Sequence, residues 1–200
     1  VASYGLKIPK DLYNLPPGKT INIHPSLLPN YRGATPIQSA ILNDDEETGV
    51  SLMLIDEKID HGPILAQKSL VTRDSNFKDL EKKLADLGIE LLREIYPKYL
   101  KGEIKPTDQD HKKATHTQKL NKADGLIDPV NNPRLSYLKF KALTPWPGTY
   151  FFPMPEKRVI LKEAAWENDK LIIKKVLPAG GKTVNWNDYR RTLPEPFKSL

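Results

Sequence analysis

Between Asn76 and Leu100, Leu80, Leu84, Leu87 and Leu91 recur at spacings of four, three and four, which puts them on one face of a helix. Pro97 to Gly102 ends the pattern. A helix with one apolar face draws most of its stability from packing that face against another surface. Upstream, "KTINI", the run Val50 to Ile55 in "TGVSLMLIDEKID" and the stretch "GPILAQKSLV" have strand character, and "ATPIQSAIL" reads as a short helix with Pro36 near its start, where a missing N–H costs little. Strand, helix, strand and helix in succession predict an α/β sheet with covering helices. "VASYGL" opens at once with strand character and few strands precede the long helix, so a parallel sheet built from these residues would have few members and open edges. We therefore expect the opening portion of the fold to be missing from this sequence.

Beyond the helix the text changes character. Residues 103–124 are polar and without periodicity, which predicts an extended linker between an α/β portion at 1–102 and a second domain at 125–200. In the second domain "RLSYLKFKAL" reads as a short helix, and "GTYFF", "RVILKEAAW" and "KLIIKKVLP" as three strands separated by Pro, Gly and Asn-Asp turn signals. Charge divides along the same line. Residues 1–110 hold 14 Lys and Arg against 17 Asp and Glu, a net of −3, whereas residues 111–200 hold 17 against 8, a net of +9. A basic half of this kind points to a polyanion, most often nucleic acid, with a solvated lysine surface as the plainer reading. Lys112, Lys113, Lys119, Lys122, Lys174, Lys175 and Lys182 are the candidate contacts. The sequence has no cysteine, which excludes disulfides, thiolate metal sites and a cysteine nucleophile within it. No apolar run approaches membrane-spanning length and no leader pattern is visible, so a soluble, cytoplasmic protein is expected.

The chemistry gathers around "NIHPSLLPNYRG". A strand ending at Pro25 would point Asn22 and His24, two residues apart, to one face and Ile23 to the other. An asparagine amide and a protonated imidazole can both donate to a carbonyl oxygen on which negative charge develops. "KIDHGP" brings a carboxylate, Asp60, on a tight loop beside Gly62 and Pro63. Asn, His and Asp make a constellation for acyl-type transfer without a covalent intermediate, since no serine or cysteine paired with a base is visible. Taken singly, each has an ordinary structural reading: a hydrogen-bonded histidine, a turn-forming aspartate, an asparagine capping a loop.

"NIHPSLLPNYRGATPIQSAI" followed by "ETGVSLMLIDEKIDHGPILAQ" closely resembles the folate-dependent formyltransferases, in which Asn-x-His, Ser-Leu-Leu-Pro, Arg-Gly and a later Asp-x-Gly follow in this order. "GATPIQSAI", "KATHTQKLNKADGLID", "LTPWPGTYF" and "PAGGKTVNWNDYRR" extend the likeness, within that family, to the members that act on initiator methionyl-tRNA. The resemblance implies a partial Rossmann-like, nucleotide-binding-like sheet over residues 1–102, and formyl transfer from 10-formyltetrahydrofolate to an amine, without a metal. It assigns Asn22 and His24 to the oxyanion and Asp60 to keeping His24 charged and helping to deprotonate the amine. It further implies folate contacts at Leu6 and Ile8, at Ser26, Leu27, Leu28 and Pro29 of the signature loop, where Arg32 fixes the backbone, and at Ile55 and Asp56. For the basic half it implies a shortened, open β-barrel of the oligonucleotide-binding type that holds tRNA. Pro129 stands where the family commonly has Trp. Two other readings stay open at this point: a sugar-nucleotide N-formyltransferase, and, if the chain begins at Val1, a noncatalytic RNA-binding remnant.

Overall fold

The computed structural model describes residues 1–2 and 8–200. The chain divides into two units, Val1–Lys119 and Leu120–Leu200.

The first unit contains α1 (Lys10–Tyr13), β1 (Ile21–His24), α2 (Pro36–Leu42), β2 (Glu47–Leu54), β3 (Ile64–Val71) and α3 (Phe77–Leu100). Helix α3 is the predicted leucine-faced helix, started by Asn76, whose side-chain oxygen accepts the Asp79 N–H at 3.1 Å. Its buried face is Leu80, Leu84, Gly88, Leu91 and Ile95, with Leu87 displaced to the half-buried flank. Gly88 takes the central place because a Cβ there would lie 2.8 Å from Cγ2 of Ile23, so helix and sheet meet more closely than any side chain allows.

The sheet under α3 runs β1-β2-β3. All its pairings are antiparallel, with Ile21 opposite Leu54, His24 opposite Ser51 and Glu47 opposite Val71. This corrects the expectation of a parallel sheet among these strands. Only residues 55–63 join β2 to β3, and a parallel return needs a crossover of about a dozen residues or more. Strand β2 is central and buried from Thr48 to Leu54, which is why it reads as an apolar run. Leu52, Leu54 and Leu65 of the sheet pack with Leu91 and Ile95 of α3.

Residues 103–119, expected within the linker, are extended apart from a 3-10 turn at His111–Lys113, and are tied to the first unit. Ile64 and Thr107 exchange backbone hydrogen bonds at 2.8 and 2.9 Å, and Arg32 and the 115–117 backbone do so at 2.9 and 2.7 Å. The unit boundary therefore falls after Lys119, inside the segment read as linker.

The second unit contains α4 (Pro133–Leu143), β4 (Thr149–Phe151), β5 (Val159–Glu167), β6 (Lys170–Pro178), β7 (Val184–Asn185) and α5 (Trp186–Tyr189). Its sheet is an antiparallel meander in the order β4-β5-β6-β7. Asn168 and Asp169, at φ of 50° and 58°, form the two-residue turn between β5 and β6, the left-handed geometry that suits a hairpin's twist. Phe151 and Trp186 meet edge to face at 6.1 Å in a core that also holds Val159, Leu161, Ile173 and Val176. Among the described residues no helix is long and apolar enough to cross a membrane.

Candidate active site

Strand β1 delivers Asn22 and His24 to one face while Ile23 turns toward Gly88 of α3. The loop after β2 brings Asp60 to meet them. Asp60 adopts a φ of 50° and its side chain is 12% exposed. One carboxylate oxygen, Oδ1, accepts a long hydrogen bond from Asn22 Nδ2 at 3.4 Å and lies 3.5 Å from His24 Nδ1. The other, Oδ2, accepts the Gly33 backbone N–H at 2.8 Å. Gly33 is required there, since at a φ of 111° a Cβ would approach Thr117 Oγ1 to 2.7 Å.

His24 is buried, and its Nε2 lies 3.0 Å from the carbonyl oxygen of Tyr31. A carbonyl only accepts, so Nε2 carries the hydrogen. Burial pushes the imidazole below its ordinary pKa of 6.5, outweighing the Asp60 carboxylate and the Tyr31 carbonyl, which both raise it. Burial thus works against the charged His24 expected from the sequence, and Nδ1 is the ring nitrogen that faces the carboxylate. A base with a carboxylate beside it, ready to stabilise the imidazolium, suits proton abstraction. Tyr31 itself is clamped. Burial, and after it the hydrogen bond to Asp45, push its hydroxyl up to about 12, so it stays protonated and donates to Asp45 Oδ2 at 2.6 Å.

The three side chains sit at a cavity of about 460 Å³ whose apolar lining includes Ile8, Met53 and Ile55. A pocket of that size, mainly apolar with a few convergent polar groups, suits a small organic ligand. Ile8, Ile55 and Asp56, the expected folate contacts on these segments, line the cavity, Asp56 with its carboxylate 2.6 Å from His61 Nδ1. Leu6 lies outside the described residues. The signature loop does not line this cavity, against the expectation of folate contacts there. Ser26 is buried and donates to the Asn30 carbonyl at 2.5 Å, Leu28 is buried and its N–H donates to Ser51 at 2.9 Å, Leu27 packs beside Gly49, and the carbonyl of Pro29 accepts from Thr115.

Gln109 and His111, which hold Arg32 of the signature loop, carry no local signature in the sequence. Arg32, 4% exposed, donates to Gln109 Oε1 from Nε at 3.1 Å and from Nη2 at 2.6 Å. Its Nη2 also lies 2.9 Å from His111 Nδ1, which must accept because a guanidinium only donates. The rings of His61 and His111 stack at 3.9 Å. Of the basic candidates, Lys119 lies at the cavity, while Lys113, Lys174 and Lys175 pair with Asp110, Glu167 and Glu163 at 3.4, 3.2 and 2.8 Å.

Known proteins share this arrangement of sequence and fold. The methionyl-tRNA formyltransferase of Myxococcus xanthus is 44% identical over 151 residues, 75% of this chain and 48% of that enzyme. A solved methionyl-tRNA formyltransferase from Clostridium thermocellum superposes with a TM-score of 0.66 at 20% identity, covering 91% of this chain and 75% of that one. HypX from Aquifex aeolicus, solved in complex with tetrahydrofolic acid, superposes with a TM-score of 0.73 at 19% identity, over 92% of this chain and 36% of that one. At those identities the two structures speak to the fold alone. The chain spans about half the length of the curated relatives it matches. The family profile described as formyl transferase matches residues 1–96, the stretch that carries the sheet, most of α3 and the Asn22, His24 and Asp60 cluster, and in that stretch the chain is similar to the formyl transferases.

Proposed function

We propose that this chain is part of a methionyl-tRNA formyltransferase, which moves a formyl group from 10-formyltetrahydrofolate to the α-amino group of methionine on initiator tRNA, without a metal. The observation that carries the reading is the convergence of Asn22, His24 and Asp60 at one cavity, in a chain 44% identical to an enzyme of that name. The folate cosubstrate would be held at the cavity described above, where Ile8 and Ile55 offer apolar surface and Asp56 a carboxylate. When bound it supplies an activated carbonyl carbon and a nitrogen that can leave.

The residues of the chain then divide the work. Asn22 has two amide hydrogens, one turned to Asp60, and the other donates to the oxygen on which charge develops. Neutral His24 takes the amine's proton at Nδ1 as the new C–N bond forms, and Asp60 stabilises the imidazolium. His24 then returns that proton to the departing nitrogen, so the site ends as it began. Gly33 and Tyr31 hold the carboxylate and the imidazole in line throughout. The basic second unit, a shortened sheet of the oligonucleotide-binding type, contacts tRNA phosphates. The net of +9 over residues 111–200 favours this substrate over a sugar nucleotide.

The test is formyl transfer by the full-length natural protein. Replacing His24 with Ala is expected to lower kcat by about 100-fold or more while leaving tRNA affinity unchanged. Undiminished turnover would reject the assignment.

A further inference from the structure

We infer that Gln109 is a positioning residue for this reaction, holding the loop that presents Asp60 to Asn22 and His24; the inference rests on the reading of the site given above. Asp60 sits in a left-handed backbone conformation that a non-glycine residue keeps only when its surroundings hold it. Gln109 provides that hold from one side. Its Nε2 donates to the main-chain oxygen of Asp60 at 3.0 Å and to that of Gly62 at 2.8 Å, so one amide group bridges both flanks of the turn. Both amide hydrogens are thereby used, and Oε1 takes two hydrogen bonds from Arg32. The side chain is 6% exposed and its amide is fully satisfied.

The direction of each bond explains why glutamine stands here. The two backbone oxygens need donors, the guanidinium needs an acceptor, and a primary amide offers both from one planar group. Arg32 in turn precedes Gly33, whose N–H fixes the other oxygen of the Asp60 carboxylate. Gln109 thus ties together the two segments that grip Asp60, one through its backbone and one through its side chain. Residues 107 and 115–117, paired with Ile64 and Arg32, anchor the segment that carries Gln109. Buried networks of this kind fail when one member is removed, because the groups left behind lose partners that water cannot replace.

Two variants of the full-length protein test this. Gln109→Leu removes the whole amide, and Gln109→Glu keeps an acceptor for Arg32 but turns an oxygen toward the two backbone oxygens. Both are expected to lower kcat on the order of 100-fold, as small displacements of reacting groups do, with KM for 10-formyltetrahydrofolate and for the charged tRNA close to that of the natural protein. Should the leucine variant fail to fold, the glutamate variant decides. A folded Gln109→Glu protein with natural kcat, or with its loss confined to KM, overturns the inference. Asp60→Asn is measured beside them: if it is inactive while Gln109→Glu is active, the inference alone falls; if it turns over at the natural rate, the reading of the site falls and takes the inference with it.

Discussion

Phe151 in the second unit and Gln109 in the first are both nearly inaccessible to water, at 1% and 6% exposure, yet opposite forces hold them. Phe151 lies between Trp186 and Phe197, with centroids at 6.1 and 5.7 Å, in a core whose members need only to be apolar and the right size. Gln109 depends on hydrogen bonds whose direction matters, to Arg32, which lies 77 positions away, and to Asp60, which lies 49 away. An apolar core loses stability in proportion to what is removed. A polar network such as the one around Asp60 loses its geometry when a single partner goes. The comparison predicts that substitutions in the first unit's site cost chemistry before stability, and that those in the second unit's core do the reverse.

The largest effect is expected from Asp60→Asn, which keeps the shape of the side chain and removes its charge. Turnover should fall by about 100-fold to 10,000-fold, while thermal unfolding stays close to that of the natural protein; a collapse of the fold instead would erase the distinction. Phe151→Ala should cost about 3–5 kcal/mol of stability. All three tryptophans, Trp146, Trp166 and Trp186, belong to the second unit, so a denaturant titration followed by tryptophan fluorescence reads this loss there. Gly88→Leu should cost about 1–3 kcal/mol by overpacking α3 against Ile23, and an unchanged midpoint would mean that helix and sheet can part without penalty.

A smaller effect concerns pH. The His24 pKa is lower folded than unfolded, so on acidification the unfolded chain takes up this proton first. Its contribution to stability is complete above about 6.5, the unfolded value, and is lost as pH falls through the folded pKa. His24→Gln should flatten that part of the stability profile. The smallest effect is expected at Lys175, whose pair with Glu163 is half exposed. Lys175→Ala should leave stability unaltered and, if the second unit holds tRNA, reduce the salt slope of tRNA binding by about one.

Much of the second unit was legible in its text because its signals are local. Asn168-Asp169 announces the hairpin turn, and the runs on either side pair with each other directly. In the first unit the Asn-x-His spacing and the leucine period were legible for the same reason, each being a repeat within one element. The direction of the sheet was not, because it depends on how a nine-residue connection between β2 and β3 folds back. Nor was the exchange of Leu87 for Gly88, which is decided by the distance between helix and sheet. Gln109 and His111 sit in a polar segment without periodicity, and their partners lie up to 79 positions away. The downward shift of the His24 pKa comes from burial, a property of the folded chain that the identity of the residue does not carry.

The account centres on an imidazole and a carboxylate that sense each other inside one cavity, 3.5 Å apart. Titration of the His24 ring by NMR, in the natural full-length protein and in its Asp60→Asn variant, measures this directly. The predicted result is a midpoint below 6.5 that falls further when the carboxylate is replaced. A midpoint at or above 6.5, or one that ignores the substitution at Asp60, would contradict it.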